Sequence, residues 1–232
     1  MAHTEESNEM PKPEFTMASA QRAAGQVSIR NSKMPGSAFA VSTDYCNVGS
    51  KLAKVEGSTC HKCYAISIEK RYPSAHMGWS NNYLKATRMI EERPEQWAMA
   101  MAFQITKFAE KTSEPFHRWF DGGDIASLAM LRAIARVCEL TPAIKHWLPT
   151  REAAVVKAFL KERAFPSNLV VRVSSTMIDD KPIAGHAHTS TVHTKAVQPQ
   201  GVICEARTRG NVCGPCRACW TGDIPNISYP LH

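Results

Sequence analysis

The chain has 232 residues, is 44% hydrophobic and 21% charged, and carries a formal net charge of +7 with a pI near 9.0. This length and composition are typical of a folded protein with one large core, and the basic charge is compatible with a nucleotide or nucleic-acid partner. No run of about 18 apolar residues occurs and the start is polar and acidic, unlike a signal peptide, so we expect a cytoplasmic protein with no membrane partner.

The first predicted segment, residues 1–35, is an N-terminal arm. It contains Pro11, Pro13 and many small polar residues, a composition typical of a flexible or loosely docked segment. A short apolar run over 37–43 then predicts a first strand, which leads directly to Cys46.

Helices are predicted next, over residues 65–112. Pro73 and Pro94 divide this region, because proline is favoured at the first position of a helix and interrupts one elsewhere. The clearest helix spans 94–112, where apolar side chains recur at helical spacing and are expected to face the core.

Strands and helices alternate along the rest of the chain. Strands are predicted over 115–120, 143–150, 168–176, 189–194 and 201–206, with helices over 125–140 and 151–165. Such alternation predicts a parallel sheet with right-handed crossovers. The alternation therefore predicts an α/β fold. With the first strand there are about six strands, fewer than the eight of a complete barrel, so we predict a partial (β/α)6-like barrel over 36–203. A C-terminal cysteine-rich metal-binding segment follows over 204–232.

Polar side chains stand where each predicted strand ends. In chain order these are Cys46, then Gly122, Gly123 and Asp124, then Arg151, Ser174 and Ser175, His193, and Cys204. Ligands of parallel α/β sheets bind at the carboxyl ends of the strands, so the sequence predicts a site at this edge. There Arg151 is suited to a carboxylate, the two serines to a ribose or carboxylate, and His193 to acid or base work.

Seven of the eight cysteines fall into two groups. The first is Cys46, Cys60 and Cys63, and the second is Cys204, Cys213, Cys216 and Cys219. Clustered cysteines in a reducing cytoplasm are expected to be metal ligands rather than disulfides. Three thiolates can hold three irons of a [4Fe-4S] cluster and leave the fourth iron open, whereas four thiolates can close a cluster. Tetrahedral zinc remains the alternative for these groups.

The eighth cysteine, Cys138, stands alone. It lies on the apolar face of the helix predicted over 125–140. We expect a buried structural thiol there.

The three-cysteine loop after the first strand and the Gly-Gly-acid turn after the second, in a partial α/β barrel, resemble the radical S-adenosylmethionine enzymes. The resemblance implies that Cys46, Cys60 and Cys63 hold a [4Fe-4S] cluster whose open iron binds S-adenosylmethionine. It also implies that the turn ending at Asp124 contacts the amino group of that cofactor. In this family the cofactor is cleaved to a 5′-deoxyadenosyl radical.

The local motifs differ from the family pattern in three ways. The cysteine spacing here is C-x13-C-x2-C instead of C-x3-C-x2-C, and Asp124 stands in the place of a glutamate. Tyr64 follows the last cysteine, whereas the family has its aromatic residue before that cysteine, so Tyr64 becomes the candidate for contact with the adenine.

The segments CHKCYA and RWFDGGDIAS, with the cysteine-rich end, are also similar to a bacteriophage protein family that carries two cysteine clusters. This resemblance covers residues from about 33 to 232. It implies residence in the cytoplasm of a host cell. Under the radical-enzyme reading, the group that begins at Cys204 would hold an auxiliary cluster.

Three functions follow as hypotheses. The first is an iron–sulfur enzyme of radical S-adenosylmethionine type, with one or two [4Fe-4S] clusters, acting on a nucleotide or nucleic acid and served by a reductant protein. The second is a non-catalytic or electron-transferring iron–sulfur protein. The third is a zinc-stabilised nucleic-acid-binding protein.

Overall fold

The computed structural model describes residues 15–29 and 33–231. The α-helices in these ranges are α1 Met17–Ala24, α2 Asn47–Leu52, α3 Tyr64–Arg71, α4 Pro73–Glu92, α5 Pro94–Thr112, α6 Leu128–Leu140 and α7 Ala153–Leu160. The strands are β1 Ser37–Phe39, β2 Phe116–Trp119, β3 Lys145–Thr150, β4 Leu169–Ser174, β5 Thr189–His193, β6 Val202–Ile203 and β7 Asn226–Pro230. Short 3₁₀ helices span Thr43–Tyr45, Ala206–Arg209 and Ala218–Trp220.

The helices begin where local chemistry favours a helix start. Thr16 and Ser127 cap α1 and α6 with side-chain oxygens that accept a backbone N–H of the first turn. Pro73 and Pro94 open α4 and α5, because the first turn leaves their missing N–H groups without a helical partner in any case. The predicted helix over 94–112 is confirmed with the same bounds.

The strands form one open, entirely parallel sheet in the order β1-β2-β3-β4-β5-β7-β6. The predicted α/β class with parallel strands is therefore confirmed. The described sheet has one strand more than predicted, because β7 lies between β5 and β6. Asparagine and proline at the ends of β7 are poor strand formers, which explains why its short sequence gave no strand signal.

One face of the sheet is covered by helices. On α5, Trp97, Met101 and Ile105 are buried as predicted, and Trp97 packs edge-on against Phe39 of β1 with 6.4 Å between ring centres. The prediction of a buried thiol at Cys138 is confirmed, since this residue has no exposed surface. The main hydrophobic core therefore lies between the helices and the first four strands.

The opposite face of the sheet is covered by the C-terminal cysteine-rich segment. Trp220 is buried there, with its ring centre 5.5 Å from that of Phe116 and 5.3 Å from that of Trp147. Its indole Nε1 donates to the carbonyl of His117 at 2.9 Å. The second cysteine group is therefore attached to the sheet itself rather than extending from it.

The N-terminal arm differs from a loosely docked segment where the structure describes it. Helix α1 packs on α5, and Ala20 and Ala24 have no exposed surface. Trp97 Nε1 donates to the carbonyl of Ala24 at 3.2 Å. Small alanine side chains allow this close helix packing, a contribution that composition alone hides. The rest of the predicted arm, residues 1–14 and 30–32, lies outside the described residues.

In the ranges that the structure describes, none of the helices combines the length and the apolar character needed to cross a bilayer.

Two buried histidines with neutral rings, His117 and His146, lie on β2 and β3. The ring centres of His117 and His146 lie 5.6 Å apart. Burial lowers the pKa of His146 to about 3, and burial together with the neighbouring His146 lowers the pKa of His117 well below its usual range. An unfolded histidine titrates near pH 6.5, so below that pH the unfolded state binds more protons. We expect the free energy of unfolding, measured by urea denaturation, to fall by up to about 1.4 kcal/mol per pH unit for each histidine as pH drops below about 6.

The matched variant for this prediction is His146→Gln. Glutamine keeps a polar group near Thr141, which hydrogen-bonds His146 at 2.9 Å, but it does not titrate. The variant should lose about half of the histidine-dependent slope. Burial raises the pKa of the Asp124 carboxyl to about 6, so Asp124 contributes to the pH dependence of the free energy of unfolding with the opposite sign. This contribution is the same in both proteins and cancels in the comparison. Identical pH dependence in both proteins would contradict the neutral pair.

Candidate functional site

The loop from Cys46 to Cys63, here called the cysteine loop, lies over the carboxyl ends of β1 to β4. Its middle is hydrogen-bonded to the segment that follows β4. Thr59 N–H donates to the carbonyl of Thr176 at 2.9 Å, and Ile178 N–H donates to that of Gly57 at 2.9 Å. The strand ends and the loop therefore form one edge, where the sequence placed the site.

Two side chains after β3 hold the cysteine loop in place. Arg151 Nε donates to Thr59 Oγ1 at 3.0 Å. The buried carboxylate of Glu152 accepts the N–H of Val48 at 2.8 Å, in the first turn of α2. A negative charge is favourable there because the N-terminal N–H groups of a helix are unpaired and carry partial positive charge. The end of β3 therefore anchors both limbs of the loop.

The three thiols of the loop are free and lie together. Cys46 and Cys63 occupy the N-cap positions of α2 and α3, and Cys63 N–H donates to the carbonyl of Cys60 at 3.2 Å. A Cβ added to Gly49 would lie 3.6 Å from Cys46 Sγ and 3.7 Å from Cys60 Sγ. The space beside these two sulfurs is therefore open because residue 49 is glycine.

Electrostatics in this pocket disfavour free thiolates. Burial raises the pKa of Cys46, and the carboxylate of Asp124 and the neighbouring thiols raise it further. Burial also raises the pKa of Cys60, while the positive charge of Arg151 opposes the rise in both cases. Three thiolates in a half-buried pocket repel one another, so they need more compensating positive charge than one arginine supplies.

Asp124 is buried and bound by the chain itself. Its Oδ1 accepts the hydroxyl of Thr150 at 2.6 Å and the N–H of Ile125 at 2.8 Å. Its Oδ2 accepts the N–H of Arg151 at 2.8 Å. A carboxylate has about four acceptor positions, so most of the capacity of Asp124 joins the ends of β2 and β3. What is left is a single position for a ligand group.

The glycines before Asp124 are required by close packing. Gly123 has φ +80°, and a Cβ there would lie 2.4 Å from the carbonyl oxygen of Val41. A Cβ on Gly122 would lie 2.6 Å from the ring of Trp79. The contact of Gly123 brings the turn after β2 against the chain after β1, close to Cys46, and the contact of Gly122 brings it against α4.

The other predicted cofactor contacts also have partners within the chain. The Tyr64 hydroxyl donates to the carbonyl of Asp121, while its side chain remains exposed. The hydroxyls of Ser174 and Ser190 lie 2.9 Å apart, and the buried Ser175 donates to the carbonyl of Lys181 at 2.7 Å. All three residues lie at the carboxyl edge, where they shape the rim of the site.

His193 is placed apart from the cysteine loop. It ends β5, and its Nδ1 lies 2.6 Å from the hydroxyl of Ser228 on β7. Thr191, two residues before it, also bonds Ser228, so these groups share one face of β5. Ser190 lies on the other face, with Ser174. The structure therefore gathers Cys46, Asp124 and Arg151 but does not bring His193 to them.

The second cysteine group lines a single pocket beside β6. All four members, Cys204, Cys213, Cys216 and Cys219, contribute to its wall. Cys216 N–H donates to the carbonyl of Cys213 at 3.1 Å, and Arg209 donates to the same carbonyl at 2.7 Å. Burial raises the pKa of Cys219 to about 12, opposed by the Tyr229 hydroxyl 3.4 Å from its sulfur. Four thiols thus converge in a partly buried pocket.

Two arginines on strands, Arg172 and Arg118, support this pocket and were not predicted from the sequence. The fully buried Arg172 of β4 donates to the carbonyls of Ala218, Cys219, Thr221 and Ile224 at 2.8 to 3.2 Å. The guanidinium of Arg118 of β2 lies 4.6 Å from the ring centre of Trp147, and its charge opposes the raised pKa of Cys213 and Cys219. An arginine inside an apolar strand is rarely buried without partners, which is the signal that could have identified both.

Neither cysteine group is arranged as a site for a single metal ion in the described residues. Over residues 15–29 and 33–231, no three or more His, Cys, Asp or Glu side chains are arranged to hold one metal ion. Around tetrahedral zinc, with Zn–S near 2.3 Å, sulfurs would lie about 3.8 Å apart. A four-iron cube is larger than one ion, so its ligand sulfurs lie farther from one another.

The family comparison matches the part of the chain that contains this edge. The sequence profile described as Gene product 88 matches residues 16–222, which include both cysteine groups. No curated protein and no solved structure matches the chain. Because the profile spans well over half of its length, the chain belongs to the Gene product 88 family, a phage protein family.

Proposed function

We propose that this protein is an iron–sulfur enzyme of radical S-adenosylmethionine type that modifies a nucleotide or nucleic acid. In this proposal Cys46, Cys60 and Cys63 hold a [4Fe-4S] cluster with one iron left to S-adenosylmethionine. The four-cysteine pocket holds a second, auxiliary cluster. A reductant protein in the cytoplasm supplies electrons.

The observation that carries the proposal is the unequal number of thiols in two separate pockets. The second pocket is lined by four cysteines, enough to complete a cluster. The cysteine loop supplies three, and the nearby carboxylate of Asp124 is already bound by Thr150, Ile125 and Arg151. A three-thiol set at the ligand-binding edge of a parallel sheet leaves one coordination position for a small molecule.

The glycine at position 49 leaves space beside the sulfurs. The space that its missing side chain leaves adjoins both Cys46 and Cys60. When bound and reduced, a cluster of this kind supplies the electron that cleaves S-adenosylmethionine.

The chain's own residues would bind and orient the cofactor. Arg151 is fixed through Nε to Thr59, which leaves its terminal nitrogens to pair with a carboxylate. The remaining acceptor position of Asp124 suits an ammonium group. The Tyr64 ring, anchored by its hydroxyl at Asp121, offers a flat surface to an adenine.

The test is metal and product analysis of anaerobically purified protein. We expect roughly eight irons and matching sulfide per chain, since each of the two pockets would hold four irons. Addition of strong reductant and S-adenosylmethionine should release 5′-deoxyadenosine. Zinc without iron or sulfide would overturn the proposal. Clusters without 5′-deoxyadenosine would indicate the electron-transfer alternative.

A further inference from the structure

The cysteine loop and helix α3 carry an unpaired positive surface. Its exposed cations are Lys51, Lys54, Lys62, Lys70 and Arg71. None of them forms an ion pair with a residue in the described ranges. We call residues 51–72 the loop–helix surface.

The few acids near this surface leave its charge largely uncompensated. Glu69 is buried on the inner side of α3, where its carboxylate accepts the backbone N–H and hydroxyl of Thr43. Asp44, just before the loop, is engaged by His76 at 2.7 Å. Glu56 is the only exposed carboxylate between residues 51 and 72.

Cations on the helical side of the protein are arranged differently. Each of several exposed arginines there meets a glutamate: Arg132 with Glu162, Arg136 with Glu95, Arg163 with Glu139, and Arg88 with Glu92. Lysines at the amino edge of the sheet stand far from the cysteine loop in the fold. Residues 51–72 therefore carry five exposed cations without an ion pair against one exposed carboxylate, next to the candidate site.

Two exposed aromatic rings lie at the ends of α3 within the same surface. Tyr64 begins the helix and Tyr72 follows its last residue, and they are 55% and 53% exposed. An exposed aromatic side chain forgoes the free energy that its burial would gain. Two such side chains among unpaired cations therefore indicate a partner with flat, stackable groups.

We propose that the loop–helix surface binds single-stranded nucleic acid. Its cations contact the phosphates, and Tyr72 stacks on a base, the combination by which proteins hold single strands without reading sequence. Helix α3 connects Tyr72 to its N-cap residue Cys63, so a strand held along this helix carries a base to the cysteine loop. Only the chemical modification of that base rests on the proposed function, and the binding itself does not require it.

A single strand fits this surface better than a duplex. Base faces in a duplex are covered by their neighbours, so a tyrosine ring cannot stack on them without separating base pairs. Phosphate contacts alone would suit either form. The exposed ring of Tyr72 therefore favours single-stranded over duplex nucleic acid.

The test is binding of a fluorescein-labelled 20-nucleotide single-stranded DNA to the full-length protein, followed by fluorescence anisotropy over a salt series. The variant K51Q/K54Q/K62Q removes three phosphate contacts. We expect it to reduce the salt slope of log K by about 2, since each contact contributes about 0.7 on a single strand, and to weaken binding at low salt at least tenfold. Tyr72→Ala should weaken binding about tenfold, in line with the loss of one stacked base.

The matched control is K111Q/K145Q/K161Q, which removes the same charge from exposed lysines at the amino edge of the sheet. It should bind nearly as the unmodified protein does. Equal weakening in the two triple variants, equal affinity for duplex DNA, or no binding at low salt would each overturn the inference. None of these results depends on iron content, so the inference and the proposed function fail separately.

Discussion

Replacing Arg172 by methionine is expected to lower the free energy of unfolding by at least about 2 kcal/mol, since it leaves the partly buried carbonyls of Cys219 and Ile224 without a donor at about 1–3 kcal/mol each. The fully buried guanidinium bonds four carbonyls of the segment from Ala218 to Ile224. Methionine fills similar volume but donates no hydrogen bond. Urea denaturation measures the loss. The same change should also loosen the pocket at Cys219, whose carbonyl is one of the acceptors.

Two variants separate this effect from a loss of charge or of volume. Arg172→Lys keeps the charge but lacks the planar fork, so it should recover only part of the stability. Arg132→Met removes an exposed arginine paired with Glu162, an interaction type worth about 0–1 kcal/mol. A loss below about 1 kcal/mol in Arg172→Met would show that the segment is held mainly by other contacts.

Replacing Gly49 by valine is expected to reduce bound iron from roughly eight to roughly four per chain and to abolish 5′-deoxyadenosine release, since the site beside the cysteine loop would be filled. The new Cβ would lie 3.1 Å from Cys46 Cβ and within 3.7 Å of two sulfurs. The branched methyl groups would take up space beside those sulfurs. Iron analysis and product chromatography of the reconstituted protein measure the effect.

Gly78→Val is the control for this change. Gly78 lies inside α4, and a Cβ there meets no atom within 4 Å. Both substitutions put valine in a helix, so their effects on helix propensity are alike. Full iron content in Gly49→Val would contradict a cluster at the cysteine loop. Equal iron loss in both variants would point to general destabilisation instead.

Regular elements with strong patterns were predictable from the sequence. Helix α5 has its predicted bounds because Pro94 marks its start and apolar residues repeat at helical spacing over five turns. Strand β4 was found because its valines are buried on both faces of a parallel sheet. Strand β7 and the packing of α1 were not, because pairing with distant strands and the fit of small alanines depend on the assembled fold.

The candidate site was predictable only in part. Strand ends placed Cys46, Asp124 and Arg151 at one edge, because parallel strands end at the same edge of their sheet. The anchoring contacts of Thr59 and Glu152 join residues far apart in the chain, and no local pattern encodes them. Whether an end-of-strand residue such as His193 faces the site depends on the face it occupies, which the strand end alone does not determine.

The insertion of β7 between β5 and β6 bears on how the protein is made. Within the part of the chain that the structure describes, strand β6 pairs only with β7, which begins 23 residues after β6 ends. At 5–20 residues per second the ribosome takes about 1–5 seconds to cover this distance. During that delay the four thiols of the C-terminal pocket have left the peptidyl-transferase centre, while β7, which pairs with β6 and accepts the N–H of Cys204 at the carbonyl of Ser228, is not yet made. The pocket is therefore complete only after translation has passed residue 230.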